Sequence, residues 1–139
     1  MEYNFRQRDH NGRTEVYDPV RKRWLLMTPE ERVRQIFILY LLNIKQFPIS
    51  HLSVEKAITV NGLTKRYDIV VFGQDQKPYL VVECKAPEVE ITQAVVEQAG
   101  RYNSTLHAPY LGVTNGHTQY FFSINFESGE ITPVDLENV

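Results

Sequence analysis

The stretch that decides the fold is Arg66-Tyr-Asp-Ile-Val-Val-Phe-Gly-Gln-Asp-Gln-Lys-Pro-Tyr-Leu-Val-Val-Glu-Cys-Lys85. Two runs rich in β-branched and aromatic residues flank a short turn-like centre, which is the pattern of a β-hairpin. A loop centred between residues 75 and 76 would place Asp68 directly opposite Glu83, and a bulge would shift this pairing by one residue. We therefore predict two paired strands that bring an aspartate and a glutamate together.

The predicted hairpin carries charged side chains on one face. Directly opposed residues have Cβ atoms roughly 5 Å apart, and strand alternation sends Glu83 and Lys85 to the same face while Cys84 points away. Asp68 and Glu83 would repel each other unless an oxygen-preferring cation such as Mg²⁺ lay between them, so the hairpin predicts a metal-dependent hydrolytic site. The alternative is an exposed cluster of cross-strand ion pairs. Neighbouring valines on both strands instead indicate a buried pair, where bare carboxylates would be costly.

Asp68, followed after a spacer by Glu83-Cys-Lys85, resembles the catalytic signature of the PD-(D/E)XK nuclease superfamily. Tyr67 stands where the superfamily name puts proline, a departure that removes no ligand. Further segments look like the N-terminal nuclease domain of type I restriction enzyme R subunits, over about residues 28 to 122. The segments that carry this resemblance are Arg66-Tyr-Asp-Ile-Val-Val-Phe72, Leu80-Val-Val-Glu-Cys-Lys-Ala-Pro87, Gln98-x-x-x-Tyr102 and Tyr110-Leu-Gly-Val-Thr-Asn-Gly116.

The resemblance implies a function and a set of site residues. It implies a Mg²⁺-dependent DNA endonuclease that hydrolyses phosphodiester bonds, with Mn²⁺ as a substitute metal. Asp68, Glu83 and the main-chain carbonyl of Cys84 would hold the metal, and Lys85 would orient the attacking water, so that Asp68, Glu83 and Lys85 are the expected catalytic residues. Glu31 is a further candidate ligand, because members of the superfamily often use a glutamate from the first helix. Its alternative is a capping-box role at the start of that helix.

Gln98 and Tyr102 are four residues apart and therefore share one face of a predicted helix. The resemblance implies that they position DNA or the active-site helix. The alternative is a half-buried tyrosine beside an ordinary amide. Arg101, next to them, is a candidate phosphate contact or a solvated side chain.

The order of the predicted elements indicates the fold class. Thr28-Pro-Glu-Glu31 has the residues of a helix start, and a helix with an apolar stripe from Val33 to Ile44 is expected to end near Phe47-Pro48. The other elements expected outside the hairpin are a strand at 51–60, a helix at 91–106, strands at 110–114 and 117–124, and an edge strand at 131–134.

These elements predict an α/β fold in the order αβββαββ. It would be a mixed β-sheet, an antiparallel meander plus a parallel strand, flanked by helices. The resemblance implies that this is a restriction-endonuclease-like core. We expect residues 1–27 to form an N-terminal arm or short strands and residues 28–139 to form a single nuclease-like domain.

Composition places limits on the class of protein. A chain of 139 residues with 42% hydrophobic content is long enough for one domain with a real core. A single cysteine, a polar start and the lack of an apolar run near ~20 residues predict a cytoplasmic protein with no signal peptide. The sequence has no Gly-x-x-x-x-Gly-Lys-Ser/Thr phosphate loop, so we expect any ATP-driven activity to come from another chain.

Charge is unevenly distributed along a chain whose formal net charge is −2. Residues 1–34 carry 8 Lys and Arg against 6 Asp and Glu, and residues 35–139 carry 7 against 11. The N-terminal basic residues are therefore candidate phosphate contacts, with a surface of mixed sign as the alternative. These candidates are Arg6, Arg8, Arg13 and Arg21-Lys-Arg23.

The expected partners are DNA and other restriction-system subunits. A second function is also consistent with the sequence, namely a non-catalytic or partner-dependent DNA-binding module of a restriction or repair complex. The negative charge of residues 35–139 favours this alternative, because such a surface binds DNA poorly by itself.

Overall fold

The computed structural model describes residues 4–139 of the chain. The strands are β1 (Gln7–His10), β2 (Arg13–Asp18), β3 (Arg23–Leu26), β4 (Leu52–Val60), β5 (Leu63–Phe72), β6 (Pro78–Cys84), β7 (Tyr110–Thr114), β8 (Gln119–Ile124) and β9 (Ile131–Val134). The α-helices are α1 (Pro29–Asn43) and α2 (Gln93–Leu106), and short 3-10 turns lie at Ile49–His51 and Leu136–Asn138.

The N-terminal region folds into an antiparallel sheet of three strands in the order β1-β2-β3. Its first turn is Asn11-Gly12, where φ is 53° and 74°, as a tight hairpin turn with two left-handed residues requires. Tyr17 pairs with Trp24 across β2 and β3, and their rings meet edge to face at 5.4 Å. Residues 7–26 are therefore strands and turns. Residues 1–3 of the predicted arm lie outside the described residues.

The second sheet has six strands in the order β4-β5-β6-β7-β8-β9. β6 and β7 run parallel, with α2 as the crossover between them, and the other neighbouring pairs are antiparallel. A parallel pair needs such a crossover, whereas the antiparallel pairs are joined by short turns. The predicted mixed sheet, with an antiparallel meander and one parallel pair, is confirmed.

The register of the β5–β6 hairpin follows the predicted loop centre. Ile69 pairs with Val82, and continuing this register by one residue places Asp68 across from Glu83. The pairing shifts just after Val71, beside the loop, so the bulge lies at the far end from the two carboxylates.

β6 is buried on both faces. The Val82 side chain packs with Phe37 and Leu41 on the α1 side, and the Val81 side chain packs with Ala99 on the α2 side. Neither valine has any exposed surface. A strand covered on both faces reads as a continuous apolar run, which is why residues 80–82 show no alternation in the sequence.

α1 begins as predicted but ends earlier. The Thr28 hydroxyl accepts a hydrogen bond from the N–H of Glu31 at 3.0 Å, which fixes the first turn. The predicted continuation to about Phe47-Pro48 is wrong, because the chain leaves the helix near Gln46, which has a φ of 58°. Ile44 is consequently 53% exposed rather than part of the apolar stripe.

α2 begins after Thr92, whose hydroxyl accepts a hydrogen bond from the N–H of Val95. The helix ends at the predicted position because His107 adopts a left-handed conformation with a φ of 55°. Neither α1 nor α2 is long and apolar enough to cross a membrane.

Candidate active site

β5 and β6 bring the charged residues of the hairpin to one end of the sheet. Glu83 is the penultimate residue of β6 and Lys85 follows directly after this strand. Both line a cavity of about 110 Å³. The other residues that line the cavity are Lys65, Arg66, Val95, Gln98, Ala99 and Tyr102. The structure therefore gathers Glu83, Lys85, Gln98 and Tyr102 around a single cavity.

Asp68 is only 7% exposed and is held by hydrogen bonds from two elements. Its Oδ2 accepts a hydrogen bond from the N–H of Cys84 at 2.9 Å. Its Oδ1 accepts hydrogen bonds from Arg34 Nε at 3.0 Å and from Arg34 Nη2 at 2.5 Å. The backbone of β6 and a side chain of α1 thus fix the orientation of this carboxylate.

A local distortion explains how Asp68 reaches an arginine of α1. Tyr67 packs on the α2 side of the sheet and Ile69 packs on the α1 side, although strand alternation would put both on one face. Glu55, which lies across from Asp68 on β4, has a φ of 58° and leaves the ladder, while the same register continues on either side. The alternation therefore changes face at Asp68.

Arg34 joins Asp68 to a network of buried charges that the sequence motifs did not predict. Its guanidinium contacts Glu31 at 2.7 Å and Glu55 at 2.9 Å. Burial alone would lower the pKa of Arg34, but the carboxylates, Asp68 above all, raise that pKa above its usual range. Arg34 is therefore charged at every pH at which the protein folds. The signal for it in the sequence is the spacing of three residues from Glu31, which puts both side chains on one helix face.

The network continues to the N-terminal sheet through Arg21. Its guanidinium contacts Glu31 at 2.9 Å and Asp18, at the end of β2, at 2.6 Å. Gln35 donates hydrogen bonds from Nε2 to Asp18 at 3.0 Å and to Glu31 at 3.1 Å. These contacts connect four carboxylates with two arginines, so the network keeps an excess of negative charge next to the candidate site.

Glu83 is the carboxyl group among the residues that line the cavity, whereas Asp68 lies beside them. Burial and the neighbouring Asp68 raise the pKa of Glu83 to about 8, although Lys85 opposes the shift. Two carboxylates this close cannot both ionise easily at neutral pH. A proton on Glu83 relieves the repulsion, and a bound cation would relieve it in the same way.

The two glutamates at the start of α1 have different surroundings. Both oxygens of Glu31 accept hydrogen bonds from Arg21, and Glu31 reaches Asp68 only through Arg34. Burial and Asp68 raise the pKa of Glu30, although Arg34 and Lys85 oppose the shift, and Glu30 pairs with Arg34 at 3.8 Å, so it lies near the candidate site. The sequence analysis named Glu31 because the family resemblance implies a glutamate ligand from the first helix, with a capping-box role as the alternative, and it did not consider Glu30. The metal role of Glu31 stays a prediction.

Gln98 and Tyr102 form a pair on the α2 wall of the cavity. Gln98 Nε2 donates a hydrogen bond to the Tyr102 hydroxyl at 3.1 Å. Hydrogen bonds with Lys65 and Gln98 lower the pKa of Tyr102. The Tyr67 ring meets the Tyr102 ring edge to face at 6.3 Å. These contacts tie the helix to β5 beside Glu83.

The donor set at the site fits a magnesium ion. Within residues 4–139 no three side chains of His, Cys, Asp or Glu are arranged as a metal site, so Asp68 and Glu83 would act as a pair. Mg²⁺ suits this set, because it usually takes one or two carboxylates and completes its shell with waters and substrate phosphate. The buried Tyr67 hydroxyl, whose pKa is raised by burial and then by Glu83, has no hydrogen-bond partner in the described chain. A bound water or ligand group commonly satisfies such an atom.

Other candidate residues lie elsewhere. Arg101 lies along an apolar groove beside Leu111 and Phe122, not among the residues that line the cavity. Cys84 is fully buried on the α1 side, where burial raises the pKa of its thiol, in line with its predicted place in the core.

Three of the six predicted N-terminal phosphate contacts are engaged within the protein. Arg6 lies over the Tyr17 ring at 4.6 Å, and Arg8 pairs with Glu15 at 2.8 Å. Arg21 belongs to the buried network described above. Arg13, Lys22 and Arg23 are exposed.

Arg34→Gln should destabilise the protein by about 3–5 kcal/mol, because it leaves buried carboxylates without their partner. Urea unfolding followed by circular dichroism measures the loss. Arg32→Gln, an exposed change on the same helix, should cost far less. In the double variant Arg34→Gln/Asp68→Asn the cost should fall short of the sum of the single costs. Additive costs would show that the two side chains are not coupled.

Glu83 should make the metal-free protein less stable as pH rises. Its carboxyl group binds a proton more tightly in the folded state, with a pKa of about 8, than in the unfolded chain, where the ordinary pKa is 4.5. This contribution to stability is therefore full below about pH 4.5 and is lost as pH rises to about 8. In thermal unfolding with EDTA, the melting temperature of Glu83→Gln should rise relative to that of the wild type as pH increases across this range. A constant difference between the two proteins would contradict the raised pKa.

Comparison with known proteins places this geometry in a family. One similar solved structure is a fragment described as an HsdR subunit of a type I restriction enzyme from Vibrio vulnificus YJ016, with a TM-score of 0.55 and 20% sequence identity. The match covers 76% of this chain and 22% of that chain, and at this identity it shows likeness of fold. No curated protein matches the chain. The family model described as type I restriction enzyme R protein N terminus (HSDR_N) matches residues 29–136, so the chain belongs to this family.

Proposed function

We propose that the chain is a Mg²⁺-dependent DNA endonuclease domain of the PD-(D/E)XK type, with Mn²⁺ able to substitute. The observation that carries the proposal is the coupling of Glu83 to Asp68 next to a cavity that also contains Lys85. Membership of the R-protein family supports a restriction-system role. The match covers 22% of the solved relative's chain. The activity of a complete R subunit is therefore proposed for this chain and does not follow from the match.

Asp68 and Glu83, with the main-chain carbonyl of Cys84, would hold the metal ion. Mg²⁺ would supply positive charge against the phosphate oxygens and would make a nearby water more acidic. Asp68 is already oriented for this task by Arg34 and by the N–H of Cys84. Such outer contacts commonly fix a ligand carboxylate in position.

Lys85 would act by charge and not as a base. Its ammonium group lies on the cavity wall beside Glu83, where it can orient the attacking water and offset the charge that develops on the phosphate. Gln98 and Tyr102, on the α2 wall of the cavity, would position the DNA. Arg101 lies outside the cavity and would contact the DNA backbone only at a more distant phosphate.

An α1 glutamate could complete the site. Glu30 is the better placed of the two, because Asp68 and Lys85 both act on its carboxyl group. Glu31 is committed to Arg21 and Arg34. We therefore favour Glu30 as the additional carboxylate and assign Glu31 to the network that supports Asp68.

A partner-dependent DNA-binding module is the second candidate. Asp68 is bound by Arg34, and four carboxylates of the network share two arginines. The net charge of −2 also works against tight DNA binding by this chain alone. These observations favour a site that becomes competent when other restriction subunits deliver the DNA.

Mg²⁺ or Mn²⁺ should raise the melting temperature of the wild type in a thermal unfolding assay. A ligand that binds only the native state at ten times its Kd adds about 1.4 kcal/mol. Asp68→Asn and Glu83→Gln should abolish the shift, Glu30→Gln should reduce it more than Glu31→Gln does, and the exposed control Glu90→Gln should keep it. Equal shifts in all variants would place the metal elsewhere. No shift in the wild type would favour a structural ion cluster.

Purified protein should nick supercoiled plasmid or cut single-stranded circular DNA with Mg²⁺ or Mn²⁺. Glu83→Ala and Lys85→Ala should each lower the rate by about 10²-fold or more, because the first removes a proposed metal ligand and the second removes the positive charge that offsets the phosphate. Lys77→Ala, in the loop between β5 and β6 and outside the cavity, is the matched control. Equal residual activity in all four proteins would indicate a contaminant and would favour the partner-dependent module.

A further inference from the structure

The outer part of the β4–β5 hairpin extends beyond the six-stranded sheet. β4 and β5 are paired from Leu52 with Val71 to Val60 with Leu63, whereas β6 joins β5 only from Ile69 onward. Residues 56–67 therefore form a two-stranded segment, here called the ribbon. Its tip is the Asn61-Gly62 turn, where φ is 51° and 78°.

The ribbon exposes side chains that the core does not use. Residues 61–66 are all exposed. Leu63, next to the tip, is 66% exposed, the highest value among the large hydrophobic side chains of the described chain. An apolar side chain this exposed at the end of a projecting hairpin is a common feature of a contact surface.

The ribbon is also strongly basic for a chain of net charge −2. Residues 56–67 contain Lys56, Lys65 and Arg66 and no aspartate or glutamate. Within residues 4–139 neither Lys65 nor Arg66 forms a salt bridge. Arg8 and Arg21 of the N-terminal sheet, in contrast, are paired with acidic side chains. The ribbon thus offers positive charge that no carboxylate neutralises.

The base of the ribbon opens into the candidate active site. Lys65 and Arg66 line the same cavity as Glu83 and Lys85. Lys65 Nζ lies 5.3 Å from the centre of the Tyr102 ring. A polyanion that lies along the ribbon would therefore pass directly over the cavity.

We propose that the ribbon is a duplex-DNA binding element that guides the scissile strand into the cavity. Lys65 and Arg66 bind phosphates next to the one that enters the site, and Leu63 at the tip contacts the groove. A two-stranded ribbon has the width to enter the major groove of B-DNA, which is about 12 Å wide. The inference rests on the proposed function, because it takes the cavity to be a nuclease active site. It adds the element that selects duplex substrate.

Fluorescence anisotropy with a labelled duplex tests the ribbon, with Glu83→Gln as the background so that no cleavage occurs. The double change Lys65→Gln/Arg66→Gln should weaken binding at least about tenfold and reduce the slope of log K against log salt by about 2. Arg32→Gln/Lys77→Gln removes the same charge from exposed positions away from the ribbon and should leave binding nearly unchanged. Leu63→Ala should weaken binding to duplex but not to single-stranded DNA.

Several outcomes would overturn the ribbon assignment. Equal losses in the two double variants would show a general effect of charge. Absence of binding by the parent protein, or full binding by the ribbon variant, would also overturn it, and so would a loss confined to binding of a partner subunit. Ribbon-dependent binding without plasmid cleavage would instead contradict the nuclease proposal, and cleavage that is unaffected by the ribbon variant would contradict the ribbon alone.

Discussion

The contact on which the rest of the site depends is the buried hydrogen-bonded ion pair between Arg34 and Asp68. It connects α1 to the middle of β5, and through Glu31 and Arg21 it extends to the N-terminal sheet. Burying a charge is costly unless it is paired, so each member of this chain of contacts requires the next one. The three-stranded sheet is therefore part of the support of the candidate site, even though it contributes no residue to the cavity.

The same network contains more carboxylates than basic groups. Arg34 compensates Asp68, but it is shared with Glu31 and Glu55, and Lys85 only partly offsets the effect of burial and of Asp68 on Glu83. A proton on Glu83 settles the charge in the metal-free protein. A divalent cation would displace that proton and bind both carboxylates, which couples metal binding to pH and to the stability of the fold. The same charges therefore govern both the stability of the fold and the proposed binding of metal at this site.

Sequence reasoning succeeded where a local rule governs the structure. Turn chemistry fixed the centre of the β5–β6 loop, and through it the pairing of Ile69 with Val82. Sequence reasoning failed where tertiary contacts override the local pattern. The change of face at Asp68 depends on Glu55 of a different strand, which has a left-handed backbone conformation. Helix α1 ends earlier than predicted because Gln46 also adopts a left-handed conformation. Arg34 was not singled out from the sequence, because Glu55 and Asp68, which pair with it, lie on strands far from it along the chain.

The site lies where the topology of the sheet leaves a crevice. β6 and β7 are parallel, so their carboxyl ends meet at one edge, and the N–H of Lys85 donates to the carbonyl of Thr114 at 2.8 Å. The crossover helix between them brings Gln98 and Tyr102 over the same edge. Ligands of open α/β sheets bind at such carboxyl ends. The valines of β6 and Cys84 anchor the strand in the core, while Glu83 and Lys85 carry charge at the cavity, which explains how one short run serves both folding and the candidate chemistry.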